Sequence, residues 1–167
     1  VFFLLLSFLI LPCLSLVQGQ DGQTLLKEVQ EAINAKDYHR ALSLAEKAVS
    51  VLPNTSEAYR LRGNVRRNLK DIQNALADYD RAVQLDERNH LAYGGRALVY
   101  LQLKQFDKAL KDSNQALALK ADYANGYRIR AEILMAQKQY QAAVSDLNES
   151  LRLQPQQAFV LLLRGNA

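Results

Sequence analysis

Arginine recurs in this chain at one constant interval, at Arg62, Arg96, Arg130 and Arg164. The same interval separates Ala41, Ala75, Ala109 and Ala143, then Tyr59, Tyr93 and Tyr127, and then Asp78, Asp112 and Asp146. Neither a helix face nor a strand repeats over so long an interval. The interval is therefore the length of a structural unit that is copied along the chain. The sequence therefore predicts a repeat architecture.

The composition favours helices and limits the possible functions. Gly and Pro are scarce, Ala, Leu, Gln, Lys and Arg are plentiful, and 49% of the residues are hydrophobic, as is typical of helical domains. The net charge of +4 is spread along the chain, which argues against a dedicated nucleic-acid-binding protein. The single cysteine, Cys13, lies in the leading apolar segment, so the repeats have neither a disulfide framework nor a cysteine metal site.

Residues 1–17 form an uncharged apolar run, VFFLLLSFLILPCLSLV, and polar residues follow it at once. This pattern predicts a secretory signal in residues 1–19, cleaved after Gly19. An uncleaved membrane anchor is the alternative, because the run approaches the ~20 residues that span a bilayer. Both readings predict that the repeats are exported, to the periplasm, the exterior or the secretory lumen, or are held at a membrane. Membrane contact is expected only through residues 1–17.

The remaining chain, residues 20–167, divides into units whose length equals the interval between the recurring arginines, if Pro53 and Pro155 are taken to follow helix ends. The units are 22–55, 56–89, 90–123 and 124–157, and a partial fifth begins at 158. Each unit contains two amphipathic segments, which in the second unit run from about Ser56 to Leu69 and from about Ile72 to Leu85. Breaks of two or three residues between such segments predict antiparallel helix pairs.

The units share a pattern of aromatic, small and alanine positions, in the motifs Tyr59-x-x-Arg62-Gly63, Tyr93-x-x-Arg96-Ala97-x-x-Tyr100 and Ala75-x-x-x-Tyr79. This pattern resembles the tetratricopeptide repeat, in which such positions recur about every 34 residues. Tyr replaces the usual Trp, Arg replaces Leu at the seventh position, and the first unit is degenerate. The resemblance implies an all-α, right-handed α-solenoid of helix-turn-helix units that acts as a protein-interaction scaffold.

The arginine ladder is predicted to be structural. Each of its first three members is followed by an aspartate at one fixed spacing: Asp78 follows Arg62, Asp112 follows Arg96, and Asp146 follows Arg130. In an antiparallel helix pair such positions can face each other, and Arg with Asp can form a bidentate, charge-assisted pair. The first unit lacks both partners, which also favours pairing over a row of free cations.

A ligand site is expected on the concave face, which the first helices of the units line in this family. The candidate groove residues are aliphatic, arginine and asparagine side chains, a mixture that suits an extended peptide or a partner helix. They are Arg60, Leu61, Asn64, Arg67, Leu98, Leu101, Asn125, Arg128 and Ile129.

One subgroup of this family clamps the carboxylate tails of chaperones with a Lys-Asn-Asn-Lys-Arg set across three units. Here the corresponding positions hold Arg60, Asn64, Gly95, Asn125 and Ile129. Only the first two fit, so no carboxylate-clamp chaperone tail is expected as a partner.

No catalytic constellation, phosphate-binding glycine loop or metal-ligand spacing is found in the sequence, so neither a cofactor nor enzymatic activity is expected. The main hypothesis is a non-enzymatic interaction scaffold. The alternative is the recognition arm of a larger enzyme or chaperone, because residues 158–167 resemble the first helix of a unit without its second helix. We therefore expect more chain to follow.

Overall fold

The computed structural model of the protein describes residues 22–156. The signal or anchor segment, Cys13, the partial fifth unit and Arg164 lie outside the described residues. The predictions made for them, including export and a following domain, therefore stay predictions.

The described residues form eight α-helices without strands. Helix α1 covers residues 22–34. The others are α2 (Tyr38–Val51), α3 (Ser56–Asn68), α4 (Ile72–Leu85), α5 (His90–Gln102), α6 (Phe106–Leu119), α7 (Ala124–Ala136) and α8 (Tyr140–Leu153). The predicted all-α fold is confirmed. Helices α3, α5 and α7 begin at Ser56, His90 and Ala124, which are the first residues of the predicted second, third and fourth units. Helix α3 ends one residue earlier than predicted, because Leu69 is its C-cap.

Each unit turns between its two helices through a lysine with left-handed backbone conformation. Lys36, Lys70, Lys104 and Lys138 have φ angles of 58°, 67°, 56° and 63°. In the second unit the backbone N–H of Lys70 donates to Arg67 O, and that of Asp71 donates to Arg66 O. These two bonds form a Schellman motif, which satisfies carbonyl groups at the helix end and reverses the chain.

Small residues allow the two helices of a unit to pack closely. The alanine ladder of the second helices, from Ala41 to Ala143, is fully buried. A Cβ atom added at Gly63 of α3 would lie 3.3 Å from the carbonyl oxygen of Ala75 in α4. A larger side chain at either position would push the helices apart, which explains why these positions repeat as glycine or alanine.

The first and second helices of the units occupy different sides of the stack. We call α1, α3, α5 and α7 the A helices, and α2, α4, α6 and α8 the B helices. Successive A helices contact each other, α3 with α5 and α5 with α7, whereas no comparable contact joins α4 to α6 or α6 to α8. The stack therefore curves with the A helices on its inner, concave side. None of the described helices is long and apolar enough to cross a membrane.

Candidate peptide-binding groove

A cavity of about 190 Å³ lies on the concave side, between α3, α5 and α7. We call it the concave groove. It is lined by Arg60, Asn64, Arg67, Tyr79, Leu91, Gly95, Leu98, Tyr123, Asn125, Arg128 and Ile129. The groove thus brings together aliphatic, aromatic, amide and guanidinium groups from three consecutive units.

Seven of the nine candidate residues from the sequence lie on this groove, and two do not. Leu61 is only 2% exposed, because it packs in a core cluster with Ala41 and Ala45 of α2. The B helix of the preceding unit covers it, so its assignment to the groove is corrected. Leu101 is half-buried against a cluster that includes Ala109 of α6 and does not line the groove.

Two tyrosines of the groove were missed by sequence reasoning. Tyr79 projects from the B helix α4, and Tyr123 stands just before α7. Their rings occupy space that glycines leave open: a Cβ atom at Gly95 would lie 2.3 Å from Tyr79 Cε1, and one at Gly126 would lie 2.5 Å from Tyr123 Cδ1. Glycine inside a helix costs about 1 kcal/mol of stability relative to alanine. The two helix-interior glycines were therefore the sequence feature that could have indicated a large side chain packed against them.

The charges in the groove are only partly paired. Arg60 donates two hydrogen bonds to Glu57, at 2.6 and 2.7 Å, and Arg128 donates to Glu132 and to Asn125. Burial would lower the pKa of Arg60, but the hydrogen bonds and charge of Glu57 outweigh it, and the pKa is raised. Burial raises the pKa of Glu132 despite the opposing effect of Arg128.

The hydroxyl group of Tyr79 is held neutral. The side chain is 2% exposed, and burial raises the pKa of its hydroxyl group, although the nearby Arg67 and Arg60 act in the opposite direction. Burial likewise raises the pKa of Tyr123. Both hydroxyl groups therefore remain available to the groove as neutral hydrogen-bonding groups.

The first three ladder arginines pair with the aspartates that the sequence assigned to them. The shortest distances are 2.7 Å from Arg62 Nη2 to Asp78 Oδ1, 2.6 Å from Arg96 Nε to Asp112 Oδ2, and 2.7 Å from Arg130 Nη2 to Asp146 Oδ1. Each pair is bidentate and joins the A and B helices of one unit, and each carboxylate is buried. The hydrogen bonds from Arg130 to Asp146 raise the pKa of that guanidinium.

Two of these arginines also contact the preceding unit. Arg96 Nη1 donates to Asp80 at 2.8 Å, and Arg130 Nη1 donates to Asn114 at 2.9 Å. Asp80 and Asn114 are themselves one repeat interval apart, so the same bridge recurs along the stack. Arg62, Arg96 and Arg130 each also lie over the ring of the tyrosine three residues earlier, 5.4 to 5.6 Å from its centroid. These three ladder arginines thus lie away from the concave groove, with their guanidinium groups engaged within the protein.

Within residues 22–156, no group of three or more His, Cys, Asp or Glu side chains is arranged to hold a metal ion. A second cavity of about 400 Å³ lies beside the ladder in the third unit. It is lined by Tyr93, Arg96, Tyr100, Lys108, Lys111, Asp112 and Gln115. Its aspartate is engaged by Arg96 and its lysines are exposed, so this cavity offers no preorganised set of acid and base groups.

Comparison with known proteins decides the family. The sequence profile of the tetratricopeptide repeat matches residues 26–90 and 95–158. The chain belongs to the tetratricopeptide repeat family. The match covers most of the chain and reaches into all four full units. No curated protein sequence matches the chain significantly.

Solved structures share the fold of this tetratricopeptide repeat protein. The Arabidopsis OM64 TPR domain is 25% identical, with a TM-score of 0.63 over 66% of this chain and 92% of that one. The first TPR of Spaghetti (RPAP3), bound to the HSP90 peptide SRMEEVD, is 24% identical, with a TM-score of 0.64 over 67% and 89%. Pseudomonas aeruginosa pilF is 16% identical, with a TM-score of 0.79 over 89% and 68%.

Proposed function

We propose that this chain is a non-enzymatic protein-interaction scaffold that binds an extended peptide in the concave groove. The observation that carries the proposal is the groove itself, where three A helices present leucine, asparagine and arginine side chains around one cavity. The architecture of tetratricopeptide repeats, a curved stack with an open inner face, supports the proposal that the partner is a protein.

The lining of the groove suits an extended chain. An extended peptide needs space for only one or two side chains at a time, because its side chains point alternately to opposite sides. Leu91, which is 36% exposed, and Leu98 provide apolar surface for them.

Amide side chains in the groove can hold the backbone of such a peptide. Asn64 and Asn125 lie on α3 and α7, on either side of α5. A carboxamide has both donor and acceptor groups, and therefore matches the N–H and C=O groups of an extended backbone without demanding a particular sequence. The first TPR of Spaghetti, which shares this fold, is bound to the HSP90 peptide SRMEEVD, and this supports a peptide as the ligand.

The experiment is a selection of random peptides displayed on phage against the folded chain, followed by affinity measurements with the selected peptides. In the test variant, Asn64→Ala is combined with Asn125→Ala. The matched control combines Asn74→Ala with Gln115→Ala, which removes two exposed amides from the B helices. We expect the groove variant to bind selected peptides at least tenfold more weakly, because each lost hydrogen bond contributes about 1 kcal/mol.

Unchanged affinity in the groove variant, with a loss in the control, would place the binding surface on the B helices and refute the proposal. Circular dichroism of both variants should match that of the parent chain, since all four side chains lie at the surface or line the groove.

A further inference from the structure

Arg67 is the one arginine of the groove without a carboxylate partner. Arg60 is paired with Glu57 and Arg128 with Glu132, whereas no carboxylate of the described residues lies within ion-pair distance of Arg67. The groove therefore has one more guanidinium than it has ion-paired carboxylates, and this guanidinium lies on α3. The charge of Glu132, which pairs with Arg128, also acts on Arg67 but forms no ion pair with it.

The guanidinium of Arg67 is also poorly satisfied by neutral groups. Its Nη2 donates to Asn64 Oδ1 over 3.3 Å, a long hydrogen bond. The Arg67 side chain also contacts the hydroxyl group of Tyr79. Its Nε is the one buried side-chain nitrogen or oxygen in residues 22–156 that has no hydrogen-bond partner. A buried donor without a partner is unfavourable, and such a group in a native structure calls for an explanation.

The surroundings of Arg67 differ from a clamp for a terminal carboxylate. The position that would supply the central amide of such a clamp is Gly95, and the ring of Tyr79 fills the space above it. An apolar residue, Ile129, stands at the final cationic position and is 2% exposed. A single guanidinium beside a tyrosine hydroxyl is instead matched by one carboxylate on a side chain of a continuous peptide.

We propose that the groove takes an acidic peptide in extended conformation, and that a Glu or Asp side chain of this peptide pairs with the guanidinium of Arg67. The inference rests on the proposed function and names the class of peptide. The exposed Leu91 and the neighbouring Leu98 contact apolar residues of the same peptide, so the motif alternates acidic and aliphatic side chains.

Three short peptides test this proposal. The first alternates leucine and glutamate and ends in an amide. The second replaces every glutamate by glutamine. The third is the glutamine peptide with a free C-terminal carboxylate. Each is titrated into the ¹⁵N-labelled chain, and the NMR resonances of the Arg67 Nε–H group and of the groove amides, such as Gly95 and Leu98, are followed.

We expect the glutamate peptide to shift the Arg67 Nε–H resonance and to bind about tenfold more tightly than the glutamine peptide, with affinity falling as salt is added. Arg67→Gln should abolish the preference for glutamate, and Arg67→Lys should retain part of it, because lysine keeps the charge but not the planar fork. Arg88→Gln, which removes an exposed charge of a loop outside the groove, should leave the preference intact.

Two results would overturn the proposal while leaving peptide binding in place. One is equal binding of the glutamate and glutamine peptides with shifted groove amides. The other is a response of Arg67 mainly to the free C-terminus, which would assign the guanidinium to a chain end. If none of the peptides, nor any peptide selected by display, shifts the groove amides, both this inference and the proposed function fail.

Discussion

The contact between Gly95 and Tyr79 allows a test in which one substitution changes the sign of its effect. A Cβ atom at position 95 would lie 2.3 Å from Cε1, 2.4 Å from Cζ and 2.7 Å from the hydroxyl oxygen of Tyr79. Distances this short cannot persist, and the ring cannot move freely because it is 2% exposed. Gly95→Ala must therefore displace the ring or the two helices.

The size of the effect follows from two opposing contributions. Alanine in a helix interior stabilises by about 1 kcal/mol relative to glycine, whereas overpacking a filled site costs about 1–3 kcal/mol. In the parent chain, Gly95→Ala should thus lower the free energy of unfolding by up to about 2 kcal/mol. In a Tyr79→Leu background, the three clashing atoms are gone, and the same substitution should raise it by about 1 kcal/mol.

The assay is urea unfolding of the four proteins of this double-mutant cycle, followed by circular dichroism, with the denaturant slope checked for constancy. Gly94→Ala is the control, because the nearest atom to a Cβ there, Tyr123 Oη, is 3.2 Å away. It should not lower the free energy of unfolding as Gly95→Ala does, because only a slight overlap opposes the helix preference of alanine, about 1 kcal/mol. An equal effect of Gly95→Ala in both backgrounds would refute the argument that this glycine exists to admit the tyrosine ring.

Three further predictions concern the turns, the ladder and the groove. Lys104→Gly should raise the free energy of unfolding by roughly 0.5–1 kcal/mol, because glycine adopts the left-handed φ of 56° without strain. Lys111→Gly inside α6 should lower the free energy of unfolding by a similar amount. The same sign for both substitutions would contradict the strain argument. Asp112→Asn should lower the free energy of unfolding, measured in urea, by about 3 kcal/mol, because it breaks a buried ion pair. Asp80→Asn should lower it by under about 1 kcal/mol, because the Asp80 side chain is 43% exposed. Burial raises the pKa of Glu132 in the folded chain above its value in the unfolded chain. As the pH rises from the unfolded-state pKa through the folded-state pKa, the parent chain should therefore lose stability relative to Glu132→Gln. A stability difference between the two proteins that is constant with pH would contradict this prediction.

The helical framework could be read from the sequence because it depends on local and periodic signals. The repeat interval placed the units, and the constant spacing between ladder arginines and aspartates anticipated the ion pair of Arg62 with Asp78, whose two groups the structure places 2.7 Å apart. Both patterns concern neighbouring helices of one unit, where the geometry of an antiparallel pair is nearly fixed.

Features between units were harder to predict. Leu61 was expected in the groove because the first helices of the units line the concave face in this family, but the packing of α2 against α3 buries it. Tyr79 belongs to a B helix and reaches the groove only because Gly95 of the next unit leaves room. Likewise, the bridge from Arg96 to Asp80 joins different units. Such contacts depend on how successive units are rotated, which a single sequence does not specify.

The most direct test of peptide binding on the concave side is a map of NMR chemical-shift changes when a display-selected peptide is added to the ¹⁵N-labelled chain. Binding in the groove predicts that the largest changes fall on α3, α5 and α7, at Asn64, Leu98 and Asn125, while Lys111 and the outward surface of the B helices change little. Changes concentrated around Lys111 and the second cavity, with the groove unaffected, would contradict it.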